Sequence, residues 1–161
     1  MFKKILSLLF LCFAVSCEKP VVFSEAALQS KFYMTDQTKV SFAAILEEYK
    51  GEKILLEVWA SWCDDCVGSF PDLKRFQEEN PNLRYVFLST DKNFASWKKA
   101  IERYNLSGEH YFMEAGLKSP FGKFLNSNWI PRYLIVDEKG GIQLFKATEL
   151  KDPEIANALK K

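Results

Sequence analysis

Two cysteines three residues apart, Cys63 and Cys66, stand where an apolar run gives way to a helical pattern, and this junction constrains the fold more than any other feature. Residues 53–60 hold Ile54, Leu55, Leu56, Val58 and Trp59 almost without interruption, the pattern of a strand buried on both faces of a parallel sheet. From Cys63 the apolar positions Cys66, Val67, Phe70, Leu73 and Phe76 recur at helical spacing until Asn80-Pro81. Residues i and i+3 share a helix face, so the two sulfurs can join as a disulfide or part as thiols with little backbone movement. A helix beginning at Cys63 sets that sulfur beside unpaired backbone N–H groups and the positive end of the macrodipole, which favours a thiolate. Cys66, one turn further in, is expected to be less exposed. The asymmetry suits Cys63 to attack on a partner's disulfide and Cys66 to resolution of the mixed disulfide.

Other chemistries fit the pair less well. A structural zinc site needs about four N or S ligands, and the chain supplies one histidine, His110, with its remaining cysteines, Cys12 and Cys17, in an N-terminal apolar segment. Haem attachment needs a histidine directly after the second cysteine, where Val67 stands. A purely structural disulfide closing so short a loop would constrain the unfolded chain little. No metal or other cofactor is expected.

Residues 1–16 read as a basic start, Lys3-Lys4, then an apolar run ending in small residues, which is the pattern of a secretory signal. The run is shorter than the roughly 20 residues that a membrane-spanning helix requires. Ala14-Val15-Ser16-Cys17 resembles a bacterial lipobox, with Ala14 where Leu is usual, so lipidation at Cys17 is expected, the alternative being ordinary cleavage nearby. Loss of Lys3 and Lys4 moves the formal charge from +1 to −1. Near neutrality argues against a nucleic-acid partner. Residues 17–30 lack a clear period and are expected to serve as lipid attachment and tether, leaving residues 31–161 as one domain.

Within that domain, residues 31–34 and 40–42 flank a polar turn and predict a hairpin, and residues 43–49 a helix stopped before Gly51. Residues 83–89 predict another buried strand, and Phe94, Trp97, Ile101 and Tyr104 the apolar face of a helix. Residues 109–118 carry no readable pattern. Ser119-Pro120 starts a short helix, residues 133–136 and 142–146 form an antiparallel hairpin, and Asp152-Pro153 caps a last helix. Alternating strands and helices followed by a hairpin and helix describe a mixed sheet covered on both faces.

These residues resemble the thioredoxin fold superfamily, and within it the TlpA/ResA-like, membrane-associated thiol-disulfide oxidoreductases of bacteria. The likeness runs from about residue 31 to the C-terminus. It rests on Trp59-Ala60-Ser61-Trp62-Cys63-Asp64-Asp65-Cys66, on Pro71 five residues after the second cysteine, and on Ile130-Pro131 ahead of a strand. It implies an α/β, thioredoxin-like fold with a mixed central sheet flanked by helices and an N-terminal hairpin extension. In that family the last proline is cis and packs across from the dithiol, which makes Pro131 the expected cis-proline, an X-Pro bond tolerating cis at little cost. By the same analogy Ile130 offers backbone groups to a partner chain in the manner of strand addition. Trp62 inside the motif, and Trp129 where relatives commonly have Gly, join Ile130 and Pro131 as the expected substrate-binding set. Trp129 reads equally well as a core aromatic.

Glu57, six residues before Cys63, falls where thioredoxin carries a buried acid. The resemblance makes it the acceptor of the Cys66 proton, while the residues alone also allow a carboxylate paired with Lys53 at the sheet edge. Many relatives have Glu three residues after the second cysteine and this chain has Ser69, so tuning by that acid is absent or passes to Glu57. Asp64 and Asp65 suit a first helical turn and also set negative charge near the Cys63 sulfur. Unit charges 4 Å apart interact by roughly 1–4 kcal/mol and one pKa unit is about 1.4 kcal/mol, so these acids are expected to tune the couple by destabilising the thiolate. That places it nearer thioredoxin, at about −270 mV, than DsbA, at about −120 mV.

The resemblance thus implies a lipoprotein of the bacterial cell envelope that reduces protein disulfides. Its expected partners are disulfide-containing clients and a membrane electron-delivery protein, because no soluble thiol pool protects reduced cysteines there. A peroxiredoxin is disfavoured by the tight Cys-x-x-Cys pair. A non-catalytic binding module of an envelope complex is the reading from another class, and it has no use for either sulfur.

Overall fold

The computed structural model describes residues 19–160, so the expected signal at residues 1–16 and the lipid-attachment residue Cys17 lie outside the described residues. Among the described residues seven strands form one sheet in the order β2-β1-β5-β4-β3-β6-β7. Within it, beside the central strand, β3 (Ile54–Trp59) is buried at every position, as its apolar run requires. It pairs in parallel with β4 (Arg84–Ser89) and antiparallel with β6 (Arg132–Val136), which makes the sheet mixed. The expected C-terminal hairpin is β6 with β7 (Ile142–Ala147), and the N-terminal one is β1 (Lys31–Tyr33) with β2 (Lys39–Ser41).

Strand β5 (Glu109–Phe112) lies in the stretch that carries no readable pattern, parallel to β4 and antiparallel to β1. It opens with Glu109 and His110, and it is only four residues long, so no alternation develops. Arg84 of β4 binds Glu109 at 3.1 Å and Glu52 at 2.9 Å, an ion pair network that gives those polar ends partners.

Register assigns the faces. Trp59, Ser89 and Phe112 stand side by side across β3, β4 and β5. Trp59 meets Phe70 of α3 (Asp64–Glu79) at 5.5 Å between ring centroids, and Phe112 meets Phe94 and Trp97 of α4 (Phe94–Tyr104). Helices α3 and α4 therefore cover one face. Neighbouring residues on a strand point oppositely, and Phe32 accordingly meets Phe42 of α2 (Phe42–Glu48) and Phe121 of α5 (Pro120–Leu125) on the other. The last helix, α6 (Pro153–Leu159), begins at Asp152, whose side chain accepts from the Glu154 N–H.

The packed domain begins earlier than residue 31. Ser24 caps a short helix, α1 (Glu25–Leu28), the Ile142 N–H donates to the Val21 carbonyl at 2.8 Å, and the Phe121 N–H donates to the buried Ser30 hydroxyl. Phe23 is buried with its ring centroid 4.8 Å from that of Phe42 and 5.5 Å from that of Phe124. Residues 21–30, expected as tether, are thus in large part docked. One turn of helix is too short to show a period, and its two apolar anchors, Phe23 and Ala27, resemble any pair in a loop.

Candidate functional site

Cys63 is the N-cap of α3, and its sulfur accepts a hydrogen bond from the Cys66 N–H at 3.1 Å. The cap is normally an oxygen of Ser, Thr or Asp. Here a sulfur takes that place, so backbone dipole and N–H donation converge on the atom that must carry negative charge during exchange. Cys63 and Cys66 are joined by a disulfide with their Cα atoms 5.2 Å apart. Cys63 keeps some exposure at 7%, whereas Cys66 has none, the asymmetry that attack by one and resolution by the other require. Pro71 lies inside α3, beyond the turn that holds the sulfurs.

Two loops hold this turn in place. Asp91, buried just past the end of β4, accepts from the Ser61 N–H at 3.1 Å, the Ser61 hydroxyl at 2.5 Å and the Ser89 hydroxyl at 2.8 Å, tying the segment before Cys63 to the sheet. From the other side the Ile130–Pro131 peptide, which is cis, brings the Ile130 carbonyl oxygen to 3.5 Å from the Cys63 sulfur. In the disulfide that sulfur has no proton to give, so the approach becomes a hydrogen bond only on reduction.

Trp62 and Trp129 are 55% and 47% exposed, which removes the core reading of Trp129. The Arg132 guanidinium lies 4.0 Å above the Trp129 ring and its Nε donates to the Ser127 hydroxyl, which in turn donates to the Trp129 carbonyl. Trp129 and Pro131 line a surface pocket of about 370 Å³ together with Asp65, Ser69 and Asp72. Asp64 and Asp65 occupy the first turn of α3, both exposed.

Glu57 is fully buried on the face covered by α3, in the row that runs Tyr133, Glu57, Phe87, His110 across the sheet. Lys53 donates to the Leu159 carbonyl instead, so the sheet-edge ion pair does not form. The Tyr133 hydroxyl stands 3.5 Å from Glu57 Oε1, and Oε2 finds no partner among the described residues. Burial pushes this carboxyl up to about 8, and the Tyr133 hydroxyl offsets only part of that. A group poised near neutrality can take a proton and return it within one cycle. Burial also raises Tyr133 well above the ordinary phenol range, which keeps it protonated.

The structure therefore gathers Cys63, Cys66, Ile130 and Pro131 at one point, with Trp62, Trp129 and Asp65 around it and Glu57 within the sheet beneath α3. Asp91, Tyr133 and the Ser69 hydroxyl belong to the same region, although no local sequence pattern marks them. Asp91 follows a buried strand as any turn residue would, and Tyr133 passes for strand packing. Their polar partners come from cross-strand register, which no local pattern records. Among the described residues no group of three or more His, Cys, Asp or Glu could hold a metal.

Comparisons with known proteins agree with this geometry. Residues 51–142 match the family described as Thioredoxin-like. The chain is 29% identical over 102 residues to the Thioredoxin-like protein YneN of Bacillus subtilis, covering 61% of this chain and 58% of that protein. It is 27% identical over 111 residues to the thiol:disulfide interchange protein DsbE of Haemophilus influenzae, covering 69% of this chain and 59% of that one. The match thus spans less than two thirds of the length of these curated relatives. Among solved structures, one from Bacteroides vulgatus described as a thiol-disulfide oxidoreductase superposes with a TM-score of 0.67 at 30% identity, covering 83% of this chain and 85% of that one. A thiol-disulfide oxidoreductase from Bacteroides fragilis gives 0.67 at 25% identity, covering 84% and 98%. The chain belongs to the thioredoxin-like family, as a member of its bacterial TlpA/ResA/DsbE-like group.

Proposed function

We propose that the chain is a thiol-disulfide oxidoreductase that reduces disulfides in protein clients from the bacterial cell envelope, held to a membrane by lipid on Cys17. The observation that carries the reading is the Cys63 sulfur at the N-terminus of α3, on a residue that keeps 7% exposure where Cys66 has none, facing the Ile130 carbonyl and flanked by two exposed tryptophans. An extended client segment laid along Ile130 finds a backbone acceptor there and aromatic surface on both sides. The Cys63 thiolate attacks the client disulfide and releases one client thiolate. Glu57 takes the Cys66 proton, and the Cys66 thiolate attacks Cys63, closing the Cys63–Cys66 disulfide and freeing the second client sulfur. Two electrons pass to the client, and a membrane electron-delivery protein returns them. Asp64 and Asp65 hold the couple toward the reducing end.

Turnover with insulin disulfides as substrate tests the chemistry. Cys63→Ser should abolish it, and Cys66→Ser should accumulate a mixed disulfide that dithiothreitol releases. Retained turnover in Cys63→Ser would refute the reading. In cells, Cys17→Ser should move the chain out of the membrane fraction, and unchanged fractionation would remove the lipid anchor from the account.

A further inference from the structure

Glu57 must exchange its proton with water once per cycle, yet its carboxyl is fully enclosed. Three polar contacts lead outward from it. The Tyr133 hydroxyl oxygen is 3.5 Å from Glu57 Oε1 and 3.1 Å from the Ser69 hydroxyl oxygen, which is 2.8 Å from the Cys66 carbonyl oxygen. Tyr133 and Ser69 own one hydroxyl proton each. Three hydrogen bonds need three protons, and the third can come only from Glu57. The set is therefore complete when the carboxyl is neutral: Glu57 donates to Tyr133, Tyr133 to Ser69, and Ser69 to the Cys66 carbonyl. When Glu57 ionises, the Tyr133 proton turns toward the carboxylate and the Ser69 proton can follow it. Ser69 is half-buried and lines the surface pocket shared with Asp65, Asp72 and Trp129, so the far end of the series meets solvent.

We propose that the Tyr133 and Ser69 hydroxyls are the proton path between Glu57 and solvent. The proposal rests on the reading of Glu57 as acceptor of the Cys66 proton. After resolution the Glu57 proton moves to Tyr133, the Tyr133 proton to Ser69, and the Ser69 proton to water in the pocket, so one proton leaves and every hydroxyl is restored. The path runs beside the reacting sulfurs and not through them, so a bound client does not block it. Among the described residues the other titratable groups of this face do not compete: Phe87 separates Glu57 from His110, which burial keeps below the usual imidazole range, the Tyr85 hydroxyl donates to the Phe76 and Asn80 carbonyls at the C-terminal end of α3, and Tyr104 packs on Phe70. Asp72 acts on Tyr133 only from outside, and Asp91 is engaged with Ser61 and Ser89.

The test is the single-turnover rate of Cys63–Cys66 disulfide formation when the reduced protein meets insulin, followed at pH 7 and pH 9 in the wild type and in Glu57→Gln, Tyr133→Phe, Ser69→Ala and Ser69→Thr. At pH 7 most Glu57 starts protonated and must first discharge. Tyr133→Phe and Ser69→Ala should each slow the step roughly tenfold there, less than the roughly 100-fold or more that direct proton transfer at a reacting group contributes, because these hydroxyls relay the proton and do not take it from the sulfur. The loss should shrink at pH 9, where the carboxyl is already ionised, and Ser69→Thr should keep the wild-type rate. Equal losses at both pH values, or no loss in Ser69→Ala, would overturn the path. Ser69 is partly exposed, so that variant keeps the test open even if Tyr133→Phe fails to fold. An unaltered rate in Glu57→Gln would instead refute the reading of Glu57 itself, whereas a slow Glu57→Gln beside unaltered hydroxyl variants would remove the path alone.

Discussion

Replacing Glu57 by Gln should make the oxidised protein more stable at neutral pH, by an amount that depends on pH in a defined way. The folded carboxyl sits at about 8 against an ordinary 4.5. Below pH 4.5 it is protonated in both folded and unfolded chains and contributes nothing to pH dependence. Between pH 4.5 and 8 the unfolded chain loses the proton and the folded one keeps it, so the folded state binds more protons and stability falls as pH rises. One pKa unit is about 1.4 kcal/mol, so the 2.5 units between 4.5 and 7 amount to about 3 kcal/mol, levelling at about 5 kcal/mol above pH 8. Glutamine copies the neutral acid in shape and does not titrate. The stability difference between Glu57→Gln and wild type should therefore grow by about 3 kcal/mol from pH 4 to pH 7, or roughly 10 °C in Tm for a domain of this size. Urea titrations of both oxidised proteins at pH 4, 5.5, 7 and 8.5 measure it, and the difference isolates Glu57 from every other titrating group. Stability curves that stay parallel across this range would refute the burial argument and with it the poised carboxyl.

Three further outcomes are expected. Asp91→Ala leaves the Ser61 N–H and the Ser61 and Ser89 hydroxyls without their acceptor; chemical denaturation should show a loss of about 3 kcal/mol, together with slower insulin reduction as the segment before Cys63 loosens. Neutralising both acids of the motif, Asp64→Asn with Asp65→Asn, should raise the reduction potential by at most about 30 mV, the equivalent of one pKa unit for a two-electron couple, and a fall in potential would contradict the assigned role. Phe23→Ala should cost about 3 kcal/mol in a denaturant titration, because its ring packs among Phe42, Phe121 and Phe124; a change below 0.5 kcal/mol, which is ordinary for surface sites, would return residues 21–30 to the role of tether.

What could be read from the residues was what is local. The buried strands β3, β4 and β6 announce themselves as apolar runs because both faces are covered, and Ser119-Pro120 and Asp152-Pro153 mark helix starts by their own side chains. The cysteines are legible because exchange needs two sulfurs one helical turn apart, and Ile130-Pro131 because the resemblance pairs it with them. Strand β5 was hidden by Glu109 and His110, whose burial depends on Arg84 and Phe87 of the neighbouring strand. Glu57 was visible as a misfit in an apolar run, but its choice between Lys53 and the interior depended on Tyr133 standing directly opposite it across β6. Asp91 was illegible for the same reason, since its partner Ser61 lies 30 residues away and meets it only through the parallel register of β3 and β4.

The reduction potential of the Cys63/Cys66 couple tests the central claim most directly, measured by equilibrating the purified protein against glutathione or dithiothreitol buffers. A thiolate held at the α3 N-terminus, with Asp64 and Asp65 exposed in the same first turn, should give a value near the thioredoxin end, about −270 mV. A value near the DsbA end, about −120 mV, would mean that the thiolate is far better stabilised than these acids allow, and would make the protein a donor of disulfides.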